Sequence, residues 1–164
     1  MSYFLKSQIF TYIFSPLYVV KHVLVDSLTC LTSLCLYRTH VIDEVNKKQD
    51  ELGWPLTPEE RFRLLDELVT RLSAGNKLNL LVWDGEYMYV HTNYRGTLHM
   101  LQKDADTLWF STRPLDDAPW QAVPFLRLLV FREGRLVFQG EGGSQEYFDP
   151  EKDFEYKRLD FANL

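Results

Sequence analysis

The chain predicts an α+β fold: two helices packed on one face of an antiparallel β-meander. Three observations predict it. A fully signalled helix follows Thr57, everything after Gly75 alternates short apolar runs with tight-turn residues, and the helices precede the strands. With 164 residues the chain is long enough for one domain with a genuine core. Its 46% hydrophobic and 25% charged content is globular, and 15% aromatic residues favour strands and buried surface over disorder.

The first 40 residues stay unassigned. Tyr3, Phe4, Phe10, Tyr12, Phe14 and Tyr18 crowd together with no common face. The apolar runs from Ile9 to Val20 and from Val23 to Leu36 are broken by Ser15-Pro16 and by Asp26. Neither reaches the roughly 18 uninterrupted apolar residues of a membrane span, and no small-residue cleavage site follows the run after Lys6. No membrane insertion and no export are expected.

From residue 41 to residue 164 the chain reads as one domain. Val41, Ile42, Val45 and Gln49 fall at helical spacing, with Asp43, Glu44, Lys47 and Lys48 turned outward; Gly53 and Pro55 end that helix. The second helix opens on Thr57-Pro58-Glu59-Glu60. Thr57 is the cap, Pro58 suits the first turn and Glu60 completes a capping box. Its apolar stripe is Phe62, Leu65, Leu68, Val69 and Leu72, and Gly75 is placed to stop it.

About six strands follow. Leu78 to Trp83 meets a turn at Asp84-Gly85 and returns through Tyr87 to Thr92. Tyr94-Arg95-Gly96 leads into Thr97 to Gln102, Lys103 to Asp106 into Thr107 to Ser111, and a Pro- and Asp-rich loop into Phe125 to Phe131. Glu133-Gly134 turns into the final strand, Arg135 to Gln139, before a charged tail of loops or a short helix. No repeat suited to a solenoid or propeller is present.

Candidate chemistry is sparse. His91 and His99 are symmetric about Arg95, so a turn centred there would oppose them across two strands, with Glu86 or Asp104 as a third metal ligand. Surface or half-buried histidines are the simpler reading. Ser111 and Ser144 have no evident His or Asp partner and no nucleophile-elbow motif. Cys30 and Cys35 form neither a redox or zinc pair nor a disulfide framework, which fits reduced thiols in a cytoplasmic setting. Cys35 is not one helical turn from His40, so no Cys/His pair is implied. Gly140-Glu141-Gly142-Gly143-Ser144 is followed by acidic residues and Pro150 rather than a helix start, so it reads as a turn and not a phosphate loop. Asp116-Asp117 reads as a solvated turn. The net charge of −5, with Lys and Arg scattered, excludes a nucleic-acid face.

Several pieces together resemble the C-terminal half of class II (type 2) glutamine amidotransferases. They are Asp43-Glu44-Val45-Asn46, Lys77 to Glu86, Tyr89 to Leu98, Ser111-Thr112-Arg113-Pro114-Leu115 with Trp120, and Val123-Pro124 ahead of Glu133-Gly134. The resemblance implies part of an αββα N-terminal-nucleophile hydrolase fold, two stacked antiparallel sheets between helical layers. Family members hydrolyse the glutamine side-chain amide with an N-terminal cysteine whose α-amine is the base, beside an Asn-Gly oxyanion hole.

None of that machinery maps onto this sequence. Position 2 is Ser2, no His-Asn-Gly occurs, and Asp26-Ser27 is only a faint echo of the family's Thr-Asp-Ser-Glu element. The sequence therefore assigns no catalytic residue, no metal and no cofactor, and Ser2 lacks the oxyanion donors a nucleophile needs.

The expectation is a fragment or degenerate relative without glutaminase activity of its own, glutamine being a ligand only of the complete family domain. The alternative is a non-enzymatic binding or assembly module. Val82, Met88, Val90, Leu98, Met100, Leu128, Val130, Leu136 and Phe138 are expected to form one apolar sheet face, left bare by the missing layer. Self-association, a complementary protein half or the aromatic residues 1–40 would cover it.

Overall fold

The computed structural model describes residues 18–20, 23–26 and 31–149, with side chains from residue 40 onward except Ile42. Helix α1 (Leu31–Leu52) begins ten residues before the predicted start at Val41. Val41 and Val45, one turn apart, are each 1% exposed and form its buried contact. It stops at Gly53, whose φ of 79° closes the last turn and whose amide donates to the Gln49 carbonyl at 2.8 Å.

Helix α2 (Pro58–Leu72) matches its sequence signals closely. The Glu60 amide donates to Thr57 Oγ1 at 3.3 Å, and the Thr57 amide donates to the Glu60 carboxylate at 2.9 Å. Leu65, Leu68 and Val69 are fully buried, and Phe62 and Leu72 flank them. Among the described residues no helix is long and apolar enough to cross a membrane.

The strands are β1 (Tyr18–Val20), β2 (Val23–Asp26), β3 (Asn79–Trp83), β4 (Met88–Thr92), β5 (His99–Gln102), β6 (Leu108–Ser111), β7 (Gln121–Ala122), β8 (Leu129–Arg132) and β9 (Arg135–Gln139). The predicted single meander is corrected here. Among the described residues the strands form two sheets, a four-stranded antiparallel sheet β3-β4-β8-β9 and a five-stranded sheet β1-β2-β6-β5-β7. The second is mixed, because β2 runs parallel to β6 with Val23 beside Leu108.

The reason lies in β4. All five of its residues are buried, so both of its faces need a cover, which one meander with helices on one side cannot supply. After Thr92 the chain leaves the first sheet, and β4 takes β8 as its second neighbour instead of β5.

Two cores result. Val41, Val45, Leu65, Leu68 and Val69 of the helices pack on Leu80, Val82, Tyr89, Leu128 and Val130. Met88, Val90, Leu129 and Phe131 of the first sheet pack on Leu98, Leu108, Phe110 and Val123 of the second. Phe110 and Phe131 meet edge-on across that gap, with ring centroids 5.7 Å apart. The order of layers is helices, sheet, sheet.

The predicted single apolar face is corrected accordingly. Met88, Val90, Leu98 and Met100 belong to the gap between sheets, but Val82, Leu128, Val130 and Phe138 face the helices, and Leu136 is 49% exposed. Alternation along each strand sends neighbouring apolar residues to opposite faces, and in β4 both faces are covered. Two pieces of the N-terminal segment, β1 and β2, widen the second sheet in its own plane beside β6. The remainder of the cover expected from residues 1–40 lies outside the described residues. The tip of the β8–β9 hairpin ties the two sheets together. Gly134, with φ 70°, sits so close to the β5–β6 turn that a Cβ there would come within 2.7 Å of Asp106 Cα.

Candidate functional site

His91 and His99 are not opposed. Residues 93–98 carry the chain from one sheet to the other, so the two side chains point to opposite sides of the sandwich. His91 pairs with Leu80 on the helix-facing side and is fully buried. Its Nε2 lies 3.3 Å from Ser73 Oγ. That hydroxyl already donates its single proton to the Val69 carbonyl at 2.6 Å, so Nε2–H is the donor to Ser73. Nδ1 is left buried without a hydrogen-bond partner. Burial lowers the imidazole pKa from 6.5 to about 4, and the neighbouring Arg127 backbone offsets this only partly.

His99 lies opposite Ser111 and, beyond it, Asp26, all on one row across β5, β6 and β2. Sequence spacing gave no hint of this row, because parallel pairing of residues 23–26 with 108–111 leaves no local signal. Its order does not suit a nucleophile. A Ser-His-Asp triad needs the imidazole between hydroxyl and carboxylate, whereas here the serine occupies the middle. Ser111 is 0% exposed, and its Oγ accepts the Arg113 amide at 3.4 Å. His99 Nδ1 is buried and unpartnered.

The proposed third ligands are committed elsewhere. Glu86 is 2.9 Å from Arg132, and Asp104 belongs to the β5–β6 turn, where hydrogen bonds from Thr107 and Asp106 lower its pKa. No group of three or more His, Cys, Asp or Glu side chains able to hold a metal exists among the described residues. Cys35 lies within α1 and His40 is exposed there; Ser2 and Cys30 lie outside the described residues. Ser144 is buried, and no helix follows the glycines at 140–143 as far as residue 149. Asp116 accepts the Ala118 amide at 3.1 Å and Trp120 Nε1 at 2.8 Å, and those bonds lower its pKa; it shapes a turn.

Two buried polar groups escaped the sequence reading. The first is Asp84. Its Oδ1 accepts the Glu86 and Tyr87 amides at 3.0 and 2.8 Å, which moves the tip of the β3–β4 turn to Gly85-Glu86. Its Oδ2 accepts Tyr89 Oη at 3.0 Å and pairs with Arg61 of α2. Burial and the Asp84 charge both raise the Tyr89 pKa. The cluster holds α2 against the sheet.

The second is Asn93, fully buried where β4 ends. Its Oδ1 accepts the Leu78 amide at 2.7 Å; its Nδ2 donates to the carbonyls of Asn76 (2.8 Å), Gln145 (3.0 Å) and Ser73 (3.3 Å). Its own carbonyl accepts the Tyr147 amide at 2.8 Å. Beside it, Thr92 Oγ1 donates to Asn79 Oδ1 at 2.7 Å, and Asn79 Nδ2 donates to the Thr97 carbonyl at 3.0 Å. Lys77 lies over the Tyr94 ring at 4.4 Å and Arg95 over Phe125 at 4.6 Å. This polar end of the sandwich is the richest candidate site. Its chemistry is that of holding backbone.

An open cleft of about 360 Å³ lies along Asp66, Glu67, Thr70 and Arg71. Burial raises the Asp66 pKa, the Leu128 amide opposes that, and Glu141 and Glu67 add to it. The Thr70 hydroxyl donates to the Asp66 carbonyl at 2.9 Å. No protein-family model, curated protein or solved structure matches the chain.

Proposed function

We propose that this chain is a non-catalytic relative of the class II glutamine amidotransferases, equivalent to the C-terminal half of their N-terminal-nucleophile fold. The observation that carries this reading is the layer order. One helical layer covers a sheet whose other face packs on a second sheet, which is three of the four layers such a fold requires. The parallel β2–β6 pair is a departure from the family's antiparallel sheets. The 164 residues hold no His-Asn-Gly, and the buried side chains of Asp84 and Asn93 are engaged in holding a turn and the ends of strands. Amide hydrolysis needs a nucleophile and oxyanion donors in one place.

The genomic sequence upstream tests the ancestry. A frame encoding Met-Cys and His-Asn-Gly, whose product copurifies with this chain and hydrolyses glutamine only in its presence, is the expected result. A product of that frame that ignores this chain would contradict the reading.

A binding or assembly role is the second reading, favoured by strand β9. It lies at the end of the first sheet and exposes Leu136 (49%) and Val137 (42%). Exposed apolar edges invite strand pairing, and the register shift of β9 against Val130/Phe131 is a device that restrains it. Under this reading the protein forms one defined complex, whereas a mere fragment self-associates without fixed stoichiometry.

A further inference from the structure

We propose that Asn93, Tyr94 and Arg95 form an acceptor site for an extended acidic–aromatic segment of a partner protein, a site that the chain's own residues 145–147 occupy in this structure. The cradle touches the backbone at alternate residues. Asn93 Nδ2 donates to the Gln145 carbonyl at 3.0 Å and the Asn93 carbonyl accepts the Tyr147 amide at 2.8 Å. Such contacts recognise an extended strand whatever its side chains, as in strand addition.

Side chains supply the selectivity. Arg95 Nε lies 3.6 Å from Glu146, and the Tyr147 ring meets the Tyr94 ring edge-on at 5.5 Å and 86°. The matching ligand is therefore an acidic residue followed by an aromatic one, in extended conformation.

The cradle is built independently of its occupant. Leu78 and Asn76 hold the Asn93 amide from the α2–β3 connection, Phe125 lies under Arg95, and Lys77 lies against Tyr94. The occupant is held near the surface, with the Arg95 and Glu146 side chains 73% and 52% exposed. It follows a swivel: Gly142 and Gly143 have φ of 97° and 130°, and residues 140–149 form no helix or strand. Rotation there lets the strap leave without disturbing β9. The clamp's chemistry does not depend on any amidotransferase ancestry.

The test uses full-length protein and a fluorescent peptide reproducing residues 144–149. Wild-type protein binds it poorly, because the tethered strap competes at high effective concentration. The full-length variant Glu146→Arg/Tyr147→Ala has a weakened strap and binds it about ten-fold more tightly or better, by freeing the competent state. In the full-length variant Arg95→Glu/Tyr147→Ala the preference inverts toward a peptide carrying Glu146→Arg.

Two cooperatively folded variants that bind both peptides alike, or bind neither, overturn the proposal. Hydrogen exchange on the wild-type chain decides the matter even if a variant fails to fold. The Tyr147 amide should exchange at least about a hundred-fold faster than the Asn93 amide, which is bonded to the Leu78 carbonyl at 3.1 Å. Equal protection of the two overturns the proposal as well.

Discussion

Acid should loosen this fold in part through His91. The imidazole is fully buried, and burial lowers its pKa from 6.5 to about 4. The folded state thus favours the neutral ring, while the unfolded chain takes up the proton near pH 6.5. Stability from this group is intact above pH 6.5, falls as the pH drops toward 4, and levels off below that. The full difference is worth roughly 3 kcal/mol, most of it lost between pH 8 and pH 4.5. That is a large share of a small domain's stability.

Urea unfolding at pH 8, 6 and 4.5, followed by tryptophan fluorescence, measures the loss. Carboxylates titrate in the lower part of the range, so the control is His91→Gln, which keeps a polar group facing Ser73 but cannot take up a proton. Wild type should lose about 2 kcal/mol more than His91→Gln across that range. Parallel losses in the two proteins would refute the burial argument.

Other substitutions probe the tertiary framework. Gly134→Ala forces a Cβ against the Asp106 backbone at a φ of 70°, and should cost about 2–4 kcal/mol in thermal or urea unfolding. Arg61→Met strands the buried Asp84 carboxylate and should cost about 3–5 kcal/mol, measured the same way. Leu126 has a φ of 61°, where a branched side chain is strained and asparagine is not. Leu126→Asn should therefore stabilise by roughly 0.5–1 kcal/mol, seen as a rise in melting temperature.

Local chemistry was legible in the sequence and long-range pairing was not. The capping box at Thr57 and Glu60, the stop at Gly53 and the Glu133-Gly134 turn all act within a few residues, and each appears as read. The partners of β4 and of β6 are set by contacts across dozens of residues, for which periodicity carries no signal. A strand such as Met88 to Thr92, apolar on both faces, does signal cover on both sides, and that was the available clue to a second sheet.

The polar sites follow the same division. An aspartate before a glycine announces a turn, yet nothing in the sequence links Asp84 to Arg61. Asn93 in Thr92-Asn93-Tyr94-Arg95 looks like an ordinary turn residue until Leu78, Asn76 and Gln145 converge on it.

Whether the 164 residues can split an amide is settled by incubating the purified chain with glutamine and measuring glutamate against protein concentration. The account predicts a rate indistinguishable from buffer at every concentration. Glutamate release that rises in proportion to the chain, and survives its repurification, would contradict it.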